Sequence, residues 1–172
     1  MTLKPLPKPF YDRDTVEVAK DLLGKLLVHE DRIVRIVETE AYLRNDPACH
    51  AYRGMTKRNA SMFKGPATLY VYTIHRQNCM NVVTRIGEAV LIRAGEPIRN
   101  VKGKTSGPGL LSKALRVTRE MDGMSLLGPP IFIADDGYEV NEIVVTKRVG
   151  VTKAKDWPLR FYIKGNKFVS RR

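Results

Sequence analysis

The sequence predicts an α+β fold, a single domain over residues 1–172 built on a curved, mostly antiparallel sheet. Two observations carry this. Many short stretches read as strands against only two clear helices. The strands also follow one another without the strand–helix alternation that marks a parallel, doubly wound sheet. At 172 residues the chain fits one domain, and with 43% hydrophobic and 28% charged residues it can bury a core.

Taken in chain order, residues 1–9 are rich in Lys and Pro and are expected to form a flexible N-terminal segment. They contain no apolar core of a secretion signal. Asp14 with Glu17 three positions on marks a helix start; Val18, Ala19, Leu22 and Leu23 form its apolar stripe, and Gly24 ends it. Strands are expected at 26–28, 33–42, 68–74, 79–84 and 89–94. A second helix begins near Pro108 and turns Leu110, Leu111, Ala114 and Leu115 inward. Further strands are expected at 131–134, 143–146 and 159–163, with a short one around 167–170. Asp135-Asp136-Gly137 reads as a turn. Segments 44–64 and 97–107, polar and rich in Gly, Lys and Arg, are the expected ligand-facing loops.

The 30 Lys and Arg outnumber the 18 Asp and Glu, giving a net charge of +12 and a pI near 9.9. Such an excess points to a polyanionic partner, since each basic group near a phosphate can release a condensed counterion. The alternative is a basic surface kept for solubility. No run of about 18 apolar residues occurs, which excludes a membrane-spanning helix. Cys49 and Cys79 lack metal-finger spacing and read as thiols of a reducing compartment, hence a cytoplasmic location in contact with the chromosome. A zinc site from Cys49, His50 and Cys79 is the lesser reading.

Three segments carry chemistry. In the strand 33–42, side-chain alternation puts Val34, Ile36, Glu38, Glu40 and Tyr42 on one face, so two carboxylates sit on a side that begins apolar. Either they are buried for a purpose, or the strand leaves the core after Val37 and both are solvated. Arg93 shares its face with Leu91 in the apolar strand 89–94 and poses the same question with opposite charge. An acid and a base of this kind can form a structural buried pair, or can frame a water with the carboxylate as proton acceptor. The strands 68–74 and 79–84 form a hairpin with His75-Arg76-Gln77-Asn78 at its tip, a shape suited to a nucleic-acid groove. Tyr70 and Tyr72 share a face there, as core residues or as a stacking platform.

The run Arg35-Ile36-Val37-Glu38-Thr39-Glu40-Ala41-Tyr42 resembles the signature of the alkyladenine (3-methyladenine) DNA glycosylases that lack a helix-hairpin-helix motif. The similarity continues through His50, Thr56-Lys57-Arg58-Asn59, Met62-Phe63, Thr68-Leu69-Tyr70-Val71-Tyr72 and Cys79-Met80-Asn81. It extends through Leu91-Ile92-Arg93-Ala94, Gly107-Pro108, Arg148-Val149-Gly150-Val151 and Leu159-Arg160-Phe161-Tyr162, spanning nearly the whole chain from about residue 10. The resemblance implies a curved antiparallel sheet with flanking helices and a protruding hairpin. It implies that Glu40 is the general base, with Arg93 and the Val149 carbonyl holding the attacking water. Tyr42 on one side and His50 and Tyr72 on the other would clamp a flipped base, and Asn81 would crowd the exocyclic amino group of guanine. Thr56 and Arg58 fall in a loop the family uses near the DNA backbone. His75, with Arg76 beside it, stands where the family commonly has an intercalating tyrosine, in a hairpin one residue shorter. Gly109 and Leu110 stand where some members carry a basic residue.

These resemblances imply base excision repair: a damaged purine is flipped from the duplex and its N-glycosidic bond hydrolysed by a Glu-activated water. No metal or organic cofactor is expected, and no lyase activity, since no lysine falls at the matched site. The expected partner is double-stranded DNA carrying damaged purines, met by a monomer without a membrane. The rival reading is a non-enzymatic nucleic-acid-binding module of the same fold, which would have no need of Glu40 beside Arg93.

Overall fold

The computed structural model describes residues 2–172. The chain opens with a short helix α1 (Lys8–Tyr11) and continues into α2 (Thr15–Leu22), β1 (Leu26–His29) and β2 (Arg32–Tyr42). After a single 3-10 turn at Ala60–Phe63 come β3 (Leu69–Ile74), β4 (Gln77–Val83), β5 (Ala89–Arg99) and α3 (Pro108–Leu115). The remaining strands are β6 (Leu127–Gly128), β7 (Ile131–Ala134), β8 (Ile143–Thr146) and β9 (Arg160–Ile163). They form one antiparallel sheet in the order β3-β4-β5-β2-β1-β7-β6, with β9 joining β2 and carrying β8.

Local chemistry explains most boundaries. The Asp14 carboxylate accepts from the Glu17 amide 3.1 Å away and caps α2. The buried apolar residues of α2, Val18, Ala19 and Leu22, join the main core. The chain then turns at Gly24, whose φ of 88° suits glycine. α3 buries Leu111 and Leu115 there as well, but Leu110 is 37% exposed and does not face inward as expected. Leu110 falls on the outer side of the helix, one residue out of phase with Leu111 and Leu115.

Three further expectations are corrected. Residues 167–170 form a turn and no strand; the Asn166 carboxamide accepts from the Phe168 amide and closes the chain on itself. The N-terminal segment expected to be flexible is tied down from Pro5, which bridges Ala134, and the Leu6 amide donates to Ile133 at 2.7 Å. The hairpin tip is only His75-Arg76, because Gln77 and Asn78 already pair with Ile74 and Thr73 in β4. His75 (φ 49°) and Arg76 (φ 64°) both take the left-handed conformation of a two-residue turn.

β2 organises the whole. On one edge it pairs with β5; on the other it pairs with β1 as far as Arg35 and then with β9 from Glu38. The changeover coincides with two compensating bulges: register runs from Ile36↔Gly95 to Glu38↔Ala94, passing over Val37, then to Thr39↔Ile92, passing over Arg93. Bulges bend a strand and re-aim side chains. Val34 and Ile36 lie in the main core, where Ala41 joins them, and the Thr39 hydroxyl donates to Ala19 of α2. Glu38 and Glu40 instead converge on Arg93. The even-numbered residues, expected on one face throughout, thus divide at the bulge.

Candidate active site

A cavity of about 370 Å³ opens between β2, the β3–β4 hairpin, the start of β5 and the loop after β8. That volume falls in the range of small-ligand sites, roughly 300–1,000 Å³. Six of the residues singled out from the sequence line it: Tyr42, His50, Tyr72, Asn81, Arg93 and Val149.

Behind this lining sits Glu40, with no solvent exposure at all. Its Oε1 accepts from the Tyr42 hydroxyl at 2.7 Å and its Oε2 from the Val149 amide at 2.7 Å. Nη1 of Arg93 lies 3.5 Å from Oε2, an ion pair. Burial raises the Glu40 pKa above the usual carboxylate value, against the opposing pull of Arg93, the Val149 amide and the Tyr42 hydroxyl. Glu38 is equally buried but differently engaged. It accepts from Arg93 Nε at 3.2 Å, Arg160 Nη1 at 2.9 Å and the Ser170 amide at 2.7 Å. The solvated-acid alternative is therefore excluded, and Arg93 is at once a structural partner of Glu38 and a neighbour of Glu40.

The Tyr42 ring is held from behind: the Arg148 guanidinium lies 4.8 Å from its centroid. Arg148 is itself fixed by two hydrogen bonds to Asp46, one at 2.9 Å, and by the Ala41 carbonyl at 3.2 Å. His50 and Tyr72 line the same cavity, with ring centroids 4.4 Å apart and planes at 68°. His50 Nδ1 is 2.8 Å from the Tyr70 hydroxyl, and its pKa is lowered by partial desolvation and by Arg58. Tyr70 is 3% exposed and packs with Met62 and Val83, and both it and the half-buried Tyr72 line the cavity. Asn81 donates to the Tyr70 carbonyl at 3.3 Å.

Thr56, Arg58, His75 and Arg76 do not line the cavity; all four are exposed at the surface. The Thr56 loop is clasped by buried Asn59. Its carboxamide accepts from the Thr56 amide at 2.6 Å and donates to the His50 carbonyl at 2.8 Å. Many lining residues lie outside the candidates drawn from the sequence, among them Ile74, Lys153 and Cys79. Ile74, 49% exposed beside the hairpin tip, could have been found as an apolar residue next to the expected wedge. Lys153 lies in the lining too, although no lysine was expected at the site. Cys79 lines the cavity as a buried thiol.

Burial pushes the Cys49 thiol up to about 11, as suits a packing residue. Among the described residues no group of three or more His, Cys, Asp or Glu is placed to hold a metal ion, and Cys49, His50 and Cys79 form none. No helix of the described residues is long and apolar enough to cross a membrane.

A buried acid, its paired guanidinium and a cavity walled by aromatic rings thus lie together in one place. Residues 9–167 match the family model described as methylpurine-DNA glycosylase. The chain is 49% identical, over 98% of its length and 100% of theirs, to a Legionella pneumophila (strain Corby) protein named "Putative 3-methyladenine DNA glycosylase". Proteins of the same name from Methanoculleus marisnigri and Carboxydothermus hydrogenoformans are each 48% identical over 97% of this chain and 99% of their own. The chain belongs to the methylpurine-DNA glycosylase family.

Proposed function

We propose that this protein is a monofunctional glycosylase of base excision repair. It would flip an alkylated or otherwise damaged purine out of duplex DNA and hydrolyse its N-glycosidic bond. The observation that carries this reading is Glu40: a fully buried carboxylate of raised pKa, held by Tyr42 and Val149, beside Arg93 and behind a cavity of purine-compatible size.

Extruding a base costs a few kcal/mol, least for a damaged or mispaired one. Stacking between Tyr42 and the His50/Tyr72 wall offsets this by ~1–3 kcal/mol per base. A purine alkylated at N3 or N7 is cationic, so it gains further on the tyrosine face. As the glycosidic bond breaks, its electron pair leaves with the base and neutralises it, and positive charge builds on the sugar. Glu40 stabilises that charge and accepts a proton from the water whose oxygen bonds to C1′. Arg93 and the Val149 backbone orient this water, and the products are the free base and an abasic sugar. The step consumes only water and needs no cofactor. Asn81 would crowd the exocyclic amino group of an undamaged guanine, while Thr56, Arg58, His75 and Arg76 face the duplex. The protein would act as a monomer in the cytoplasm.

The test is incubation with a duplex carrying one N7-alkylated purine, followed by alkali, which cuts an abasic strand. Strand scission at the lesion, with faster release of the cationic base than of hypoxanthine, is expected. Binding of the same duplex without base release would leave a nucleic-acid-binding module and overturn the reading.

A further inference from the structure

A second concavity, away from the cavity, lies along the outer side of α3. Five cations surround it: Arg32, Lys102, Lys104, Lys113 and Arg116. All but Arg32 are exposed. The sole acid in its wall, Asp31, is partly occupied by the Asn100 carboxamide, which donates to its carbonyl at 3.0 Å and to its carboxylate at 3.4 Å. Arg32 is paired with Glu30, but none of Lys102, Lys104, Lys113 and Arg116 has a carboxylate partner among the described residues, in contrast to Arg13, Arg119 and Lys164 elsewhere. Leu110, turned outward against expectation, forms part of its floor.

The groove is joined to the proposed reading head through α3. Pro108 lines the cavity, and Gly109 lies so close to Gln77 of the hairpin that a Cβ there would fall 2.2 Å from its carboxamide oxygen. One helical turn on, about 6 Å by the 1.5 Å rise per residue, Lys113 enters the groove. Successive phosphates of a duplex strand lie at a comparable spacing. A strand leaving the hairpin along α3 would therefore reach the four unpaired cations Lys102, Lys104, Lys113 and Arg116.

We propose that this groove binds the phosphate backbone of duplex DNA flanking the flipped nucleotide, extending the footprint beyond the cavity and hairpin. The proposal rests on the functional reading above for its ligand and not for its geometry. The groove supplies position-independent attraction, so it governs affinity for any duplex and leaves the chemical step alone.

The test compares the variant Lys102→Gln/Lys104→Gln/Lys113→Gln with a control of equal charge loss outside the groove, Lys4→Gln/Lys8→Gln/Lys164→Gln. Binding of an undamaged 30-base-pair duplex is measured across a salt series. Each phosphate contact contributes about 0.9 to the slope of log affinity against log salt. The groove variant should lose about two to three from that slope, and the control less than one. Single-turnover excision at saturating protein should stay within about twofold of wild type in both. Equal slopes for the two variants would overturn the proposal, since net charge alone would then explain binding. A slope that falls only when an acidic protein replaces DNA as the probe would overturn it too. Wild-type protein that binds duplex through the groove yet releases no base would overturn the glycosylase reading while leaving the groove in place.

Discussion

Nη1 of Arg93 lies 3.5 Å from Oε2 of Glu40 while Nε of the same guanidinium lies 3.2 Å from Oε2 of Glu38. One cation thus serves two buried carboxylates. The bulge that passes over Arg93 in β5 makes this possible, because an unpaired bulge residue is free to aim between two neighbours on the facing strand. The division of labour follows from the remaining bonds. Glu38 is closed by Arg93, Arg160 and the Ser170 amide, whereas Glu40 has one donor on each oxygen and the cavity wall beside it.

Replacing Glu38 should therefore damage the fold before the chemistry. Glu38→Gln leaves the buried Arg160 guanidinium without its counter-charge while Arg93 keeps only Glu40, and breaking a buried pair in this way costs about 3–5 kcal/mol. Thermal unfolding should show a fall in Tm of several degrees, with base excision by the remaining folded protein close to wild type at low temperature. A variant of unchanged Tm with little activity would reverse the roles assigned to the two acids.

The pH dependence has a definite sign. Burial raises the Glu40 pKa, so excision should fail on acidification at a higher pH than an ordinary carboxylate would dictate. The Tyr42 hydroxyl donates to the ionised carboxylate and lowers that pKa. Tyr42→Phe keeps the stacking ring and should move the acid limb of the single-turnover rate upward. An unmoved limb would show that the hydroxyl does not hold the reacting carboxylate. The same raised pKa makes a contribution to stability that is full at low pH and lost as pH rises through the folded-state value. Ionising Glu40 within the fold is thus a stability cost.

At the hairpin, His75 occupies a position whose φ of 49° disfavours most side chains, and Asn tolerates it better than Ala. His75→Asn preserves the turn and removes the ring. If the ring fills the gap left by a flipped nucleotide, excision from a fully paired site should fall about tenfold, and far less from a mismatched one. Ile74→Ala, removing the exposed apolar neighbour, should show the same preference. Equal losses on both substrates would remove this pair of residues from the flipping step.

Lys153 makes the absence of lyase chemistry a real question, since a lysine does line the cavity. The carboxylate, not the amine, is joined to Arg93 and Val149, so hydrolysis should leave no covalent intermediate. Borohydride added during turnover should trap no protein–DNA adduct. A trapped adduct lost in Lys153→Ala would make this lysine a nucleophile.

Much of this was legible in the sequence because it rested on local rules. The Asp14 cap, the strand 33–42 and the pairing of an acid and a guanidinium in apolar strands are visible in periodicity and residue type. What escaped depended on long-range geometry. The bulges at Val37 and Arg93 break the alternation that placed Val34 and Glu40 on one face, and nothing local announces them. The Arg148–Asp46 pair behind Tyr42 joins residues 102 positions apart. Leu110 is apolar and helical, yet tertiary packing chose Leu111 and Leu115 for the core and left it in the basic groove.

The central claim is that Glu40 is the proton acceptor. Glu40→Gln keeps the shape and can still accept from the Val149 amide, while Arg93 retains Glu38 as its partner. The measurement is single-turnover excision of an N7-alkylated purine by this variant, alongside its Tm and its affinity for the same duplex. The account predicts a Tm at or above wild type, unchanged binding and a rate lower by ~10²–10⁴-fold, the loss expected on removing a general base. A folded Glu40→Gln protein that binds the lesion and excises it at the wild-type rate would contradict it.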